Sequence, residues 1–284
     1  MRALPTLILS AASTLVIPVA TAQPQAPFFT AVDPGVPPMA QPRAGGGVEG
    51  FQVDLFTEVA RRLGRGIAFE VGPFSALIPA LQAGRYDFLA TPVAATEDLA
   101  DTMLFTQGYL WTGYQFGIRA GAPPLGDWDD LKGKTVAVAR GTPLAEFAES
   151  MTGEYGFTVA AFARDEDAAR AVVSGKADAA LSGSTTMRVL AARIGGLAPD
   201  WVLPETRIPL AAPFRLESAD LRGQVDDALK CMKQDGTVAR LSQKWFGTAP
   251  AANDLEHVVA PGHGIADLPG HDPDAPDPAC ERRR

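Results

Sequence analysis

Phe74-Ser75-Ala76-Leu77-Ile78-Pro79-Ala80-Leu81-Gln82-Ala83-Gly84-Arg85-Tyr86-Asp87 places Leu77, Ile78 and Leu81 on one helical face and stops at Gly84. Phe88 to Ala90 behind it reads as a buried strand. The same alternation extends in both directions. Upstream, Ile67 to Val71 is strand-like. Phe51 to Leu63 carries Phe51, Leu55, Val59 and Leu63 at helical spacing, with Gly64 as the stop. Phe28 to Val32 is a short apolar run that ends in the turn chemistry of Asp33-Pro34-Gly35. Downstream, Thr135 to Ala139 reads as a strand, Gly141-Thr142 breaks it, and Pro143 to Met151 follows as a helix with Pro in its first turn. Thr158 to Phe162 (strand), Asp165 to Gly175 (helix), Ala177 to Leu181 (strand) and Thr185 to Ile194 (helix) continue the pattern. This order, met twice, predicts an α/β fold with parallel-rich sheets in two lobes. Leu221 to Phe246 is helical, with Val225, Leu229 and Met232 repeating before Asp235-Gly236-Thr237 and Val238, Leu241 and Trp245 after it. Ala249 to Arg284 is rich in Pro, Asp, Gly and Ala and is expected to be a solvated tail with no core of its own.

The 284 residues suffice for one large domain or two modest ones. The net charge is −8, and no Lys/Arg stripe interleaves with aromatics, which excludes nucleic acid as a partner. Met1-Arg2, the apolar run Ala3 to Ala20 and the small-x-small pattern Ala20-Thr21-Ala22 read as a signal peptide over residues 1–22 and place the mature chain in the periplasm. A membrane anchor is the rival reading, but Gln23-Pro24-Gln25 supplies no basic stop-transfer cluster. Cys231 and Cys280 are the only cysteines. In an oxidising compartment they read as a disulfide, with two free thiols as the alternative. No nucleophile elbow, Walker loop, metalloprotease pair or Cys-x-x-Cys occurs, so neither an enzyme nor a cofactor is expected. His257, His263 and His271 all lie in the tail, at spacings that match no metal-ligand pattern.

Several segments, in order, resemble one family. Ala31-Val32-Asp33-Pro34-Gly35-Val36-Pro37-Pro38 is similar to a "D-x-x-x-P-P" loop, and Gly50-Phe51-Gln52-Val53-Asp54-Leu55 to a "G-F-D-V-D-L" helix start. Phe74 to Asp87, Leu131-Lys132-Gly133-Lys134-Thr135-Val136-Ala137-Val138 with Gly141-Thr142, Gly175-Lys176-Ala177-Asp178-Ala179, and Asp235-Gly236-Thr237 to Lys244-Trp245-Phe246-Gly247 complete the series. The chain resembles the periplasmic solute-binding proteins of polar amino-acid ABC transporters: type II, solute-binding family 3, the two-lobed Venus-flytrap fold. The resemblance implies a discontinuous first lobe (27–119 and 207–247), an inserted second lobe (120–206) and a tail (248–284). It also implies hinge strands at Tyr114 to Arg119 and Arg207 to Leu210, with a ligand buried between the lobes on closure.

In that family an Arg forks onto the ligand carboxylate, a hydroxyl adds a bond and an Asp takes the ammonium. Carried over by register, these positions are Leu99, Ala94 and Gly183, so the whole amino-acid clamp is missing. No Arg or Lys lies between Arg85 and Arg119, so sliding the register does not restore it. The remaining ligand-binding candidates are Asp33, Phe74, Thr91, Trp111, Gly141, Thr142, Ser182 and Ser184. Asp33 is equally readable as a turn residue and Phe74 as core. Gly141-Thr142 stands at a helix N-terminus, and the serines offer hydroxyls. The expected function is that of a monomeric binding component of an ABC uptake system. It would take a small polar solute other than a standard α-amino acid and work with a permease. The alternatives are an accessory factor of a periplasmic dehydrogenase and, last, a cyclohexadienyl-dehydratase-like enzyme, whose dicarboxylate substrate would also need the missing cations.

Overall fold

The computed structural model describes residues 26–35, 37–140 and 142–280. The expected signal peptide (1–22) and Gly141 lie outside the described residues. The helices are α1 (Phe51–Arg62), α2 (Phe74–Gln82), α3 (Glu97–Ala100), α4 (Pro143–Tyr155), α5 (Asp165–Val173), α6 (Ser184–Arg193), α7 (Ala219–Gln234) and α8 (Thr237–Phe246). The chain builds two lobes.

In lobe one, Phe28–Val32 pairs in parallel with Ile67–Val71. Its other neighbour is the extended run 87–91, where the sequence pattern predicts a strand over Phe88 to Ala90. Phe88 to Thr91 are buried, but the run forms no regular ladder. The cause is Thr30. Its buried hydroxyl donates to the Phe88 carbonyl (2.8 Å) and accepts from the Ala90 amide (2.9 Å), so a side chain fills the place of two ladder bonds. Ile208–Ala211 returns antiparallel between Val93–Ala94 and Leu110–Thr112, and Pro213–Phe214 pairs with Leu104–Phe105. Helices α1, α7 and α8 cover this sheet. Phe51, Leu55, Phe56 and Val59 of α1 join Phe88, Tyr109, Phe214, Leu229, Met232 and Phe246 in one core. Burying each such side chain contributes about 1.5–3 kcal/mol. α1 stops where its sequence says it must: Gly64 takes φ 67°, and the amides of Gly64 and Arg65 close back onto Arg61 and Ala60.

Lobe two is a single five-stranded sheet in the order Thr158–Phe162, Thr135–Ala139, Ala179–Gly183, Tyr114–Arg119, Leu197–Val202. The first three strands are parallel and the last two pairings antiparallel. Alternation splits Val136 and Val138 onto one face and Ala137 onto the other. On the second face Ala137, Ala168, Ala169 and Ala180 are small enough to let α5 lie close against the sheet. The aromatic face stacks Trp128 on Tyr155 (4.9 Å) and Phe116 on Trp201 (5.7 Å). Tyr114–Arg119 pairs only within this sheet, so it belongs wholly to lobe two. The chain crosses between lobes at Gly113 and again along 203–207, rather than along the expected hinge strands.

Residues 248–280 contain neither helix nor strand, only a bridge between His263 and Asp272. They are nevertheless not a solvated tail. Ile265 and Leu268 pack on the cluster of Val93, Ala95, Met103 and Phe105. Cys280 is disulfide-bonded to Cys231 of α7 at a Cα separation of 5.3 Å. The other anchors are polar: Lys230 to Asp277 (3.1 Å), the Gly264 amide to Asp226 (2.6 Å), Lys233 to the Val258 carbonyl (2.9 Å) and His263 to Asp227 (2.8 Å). The apolar stripe of α7 is Val225, Leu229 and Met232. The charged residues beside that stripe hold the segment down as a strap. Among the described residues no helix is long and apolar enough to cross a membrane.

Candidate ligand-binding cleft

In open α/β sheets, ligands sit outside the carboxyl ends of the parallel strands. Both lobes present such an edge. In lobe one, Asp33 follows Phe28–Val32, Phe74 follows Ile67–Val71 as the first residue of α2, and Thr91 ends the run 87–91. In lobe two, Thr142 follows Thr135–Ala139, Asp165 follows Thr158–Phe162, and Ser182 lies near the end of Ala179–Gly183.

Asp33 has a dual structural role. Its Oδ1 accepts from the Gly35 amide (2.8 Å), which closes the turn, and its Oδ2 accepts from the Phe74 amide (2.9 Å). The N-cap position of α2 is Pro73, which has no side-chain acceptor, so Asp33 caps that helix from a neighbouring strand. The carboxylate thereby fixes Phe74, whose ring is 44% exposed and so is not plain core. Thr91 is buried. In lobe two the Thr142 hydroxyl donates to Ala139 O (2.8 Å) and accepts from Ala145 N (3.2 Å), capping α4. Ser182 is buried and donates to Asp165 Oδ1 (2.9 Å). Among the described residues, no hydrogen bond joins the lobe-one edge to Thr142 or Ser182.

Ser184 directly follows Ala179–Gly183 at the lobe-two edge, and meets Trp111 of lobe one at the crossing. The Ser184 amide donates to Gly113 O (2.8 Å) at the first crossing, and its hydroxyl donates to Trp111 O (3.4 Å). With Gln115, Arg188, Arg207 and Glu256 they line a pocket of about 100 Å³ in the seam between the lobes. Larger open hollows, of about 410 and 630 Å³, run along α7 and the strap, away from both edges. The sequence reading missed Asp165 and the exposed Arg140, which directly follows a lobe-two strand just as Asp33 follows a lobe-one strand. That shared position was the available signal.

The resemblance puts the clamp at Ala94, Leu99 and Gly183. Ala94 pairs with Leu210, and Leu99 of α3 packs on the same apolar cluster as Ile265 and Leu268. Gly183 has φ −61°, and a Cβ there would meet only Thr186 Oγ1, at 3.9 Å. The position has room for a side chain, but the sequence supplies none. Among the described residues no group of three or more His, Cys, Asp or Glu could hold a metal ion.

Two lobes joined by two crossing segments, each offering a carboxyl strand edge, define a protein of the Venus-flytrap binding class. The chain belongs to the bacterial extracellular solute-binding proteins, family 3, whose model matches residues 29–248. It is 30% identical over 209 residues to the probable amino-acid-binding protein YxeM of Bacillus subtilis, covering 72% of this chain and 78% of that one. It shares its fold with the unliganded, open L-cystine solute receptor of Neisseria gonorrhoeae (TM-score 0.71, 18% identity, 79% of this chain and 94% of that one). It also resembles an ancestral amino-acid-binding protein described as a precursor of cyclohexadienyl dehydratase (TM-score 0.54, 27% identity, 77% and 95%).

Proposed function

We propose that the chain is the exported, periplasmic binding component of an ABC-type uptake system, and that its lobes close on a small polar solute that is not a standard α-amino acid. The relatives named above are binding proteins, which supports a binding role rather than catalysis. The observation that carries the ligand class is the empty clamp. A carboxylate placed against Leu99 would be desolvated without a cation, at a cost of several kcal/mol. The same loss argues against a dehydratase acting on a dicarboxylate. The expected calorimetric result is no sub-micromolar binding of glutamine, histidine, arginine or any other standard amino acid. One such titration with sub-micromolar affinity overturns the ligand class.

The site is tested separately. For a solute found by thermal-shift screening, Phe74→Ala should weaken binding by roughly ten- to a hundredfold, the worth of an aromatic wall buried on closure. Asp33→Ala should weaken it too. Because it also uncaps α2, it should cost about 1 kcal/mol of stability, so it is read alongside a melting curve. A ligand that binds both variants as tightly as the parent, with no compaction in small-angle scattering, moves the site out of the cleft. The accessory-factor reading then takes over.

A further inference from the structure

Arg188 belongs to α6 of lobe two, yet every charged or polar contact of its guanidinium lies elsewhere. It donates to Ser242 Oγ of α8 (2.9 Å), to the Thr248 carbonyl (3.2 Å) and hydroxyl (3.4 Å), and to Glu256 Oε1 of the strap (3.1 Å). It also lies over the Phe246 ring at 4.8 Å. Glu256 is 1% exposed, and the same oxygen accepts from Ser242 Oγ at 2.7 Å. The rest of α6 follows suit. Ser184, Arg188, Val189 and Ala192 share one helical face. Val189 packs against the lobe-one core, and Gly247 approaches Ala192 so closely that an added Cβ would collide with it. At the second crossing, Asp254 of the strap stands 3.7 Å from Arg207.

Glu256 is itself held by lobe one. Two residues on, the Val258 carbonyl is bonded by Lys233, and the strap is then fastened at Asp226, Lys230 and Cys231. The family match ends at 248, and residues 249–280 lie beyond it. We propose that this segment is an interlobe latch, in which Glu256 holds Arg188 and sets the resting angle of the two lobes.

The physical argument is one of burial. A rotation about Gly113 and 203–207 that carried Arg188 away would leave the Glu256 carboxylate buried without its cation, which opposes the motion. The seam also retains unused donors. Trp111 Nε1 and Arg207 Nε are buried without a partner beside the 100 Å³ pocket, as suits an interface that exchanges partners when it shifts. The latch does not depend on which solute the cleft takes.

The test uses the full-length protein without ligand. Spin labels at the exposed Ser75 of α2 and Glu146 of α4 report the interlobe distance by double electron–electron resonance. Glu256→Ala and Arg188→Ala should each displace the mean distance and broaden the distribution. His263→Ala, which loosens the strap far from the seam, should leave it as in the parent. Glu256→Gln, of the same shape without the charge, should give an intermediate shift. It is the arm to read, with Arg188→Lys, if either alanine variant loses its cooperative melt. Parent-like distributions in the seam variants that fold, or an equal displacement by His263→Ala, overturn the latch.

Discussion

Replacing Lys233 with methionine should lower the unfolding free energy by about 3–5 kcal/mol, as expected when one member of a buried charged set is removed. Lys233 is 3% exposed, and its Nζ donates to Gln107 Oε1 (2.7 Å), Gly108 O (2.6 Å) and Val258 O (2.9 Å). On the same helix, Asp226 accepts from the amides of Gln107 (2.7 Å) and Gly264 (2.6 Å). The two side chains together stitch a lobe-one loop and the strap to α7. Methionine keeps the volume but leaves three carbonyls without a donor. Burial pushes the Lys233 ammonium down to about 7; Asp226 and Glu256 pull it up, and Lys230 pushes it further down. Between about pH 7 and the ordinary 10.5, the unfolded chain therefore binds more protons than the folded one at this group. Its contribution to stability is greatest above 10.5 and declines as pH falls to about 7. Urea titrations of both proteins across that range should show an upward slope with pH in the parent that the variant lacks. A loss below about 1 kcal/mol, against the 3–5 expected for a buried set, or identical slopes, would refute this reading.

Reducing the Cys231–Cys280 disulfide, or replacing either cysteine with serine, should cost about 4 kcal/mol. That is the loop-closure entropy for a sequence separation of 49. The strap makes this bond matter more than its surface position suggests. Residues 256–277 form no regular secondary structure, and they are kept in place by hydrogen bonds, two ion pairs and two apolar side chains. Without the bridge each of those contacts must first order a free end. Denaturation curves with and without reductant should differ by this amount in the parent and coincide in the serine variants. A parent curve indifferent to reductant would show that the polar anchors suffice.

Much of this was legible in the sequence, for identifiable reasons. α1 and α4 carry their own start and stop chemistry within a few residues, and the unbroken apolar run Val136 to Ala139 marks a strand buried on both faces. What escaped depends on partners far along the chain. The Thr30 hydroxyl that breaks the ladder acts on residues 58 and 60 positions away. Asp33 could be seen as a turn former from Pro34-Gly35, but its capping of α2 spans 41 residues. The strap escaped because a pattern of apolar and polar residues assigns Arg222, Asp226, Lys230 and Lys233 to solvent, whereas all four are buried. The cysteine pair could be suspected from composition and compartment. Only the fold brings α7 and residue 280 within bonding distance.

Lobe two takes all five of its strands from one uninterrupted stretch, 114–202, whereas the core of lobe one needs residues on both sides of it, from Phe28 to Leu110 and from Leu210 to Phe246. Domains generally fold as units. A chain that emerges from the export channel amino-terminus first has therefore delivered the whole of its second lobe while the first still lacks α7 and α8, and the lobe that begins the protein is the last to be finished.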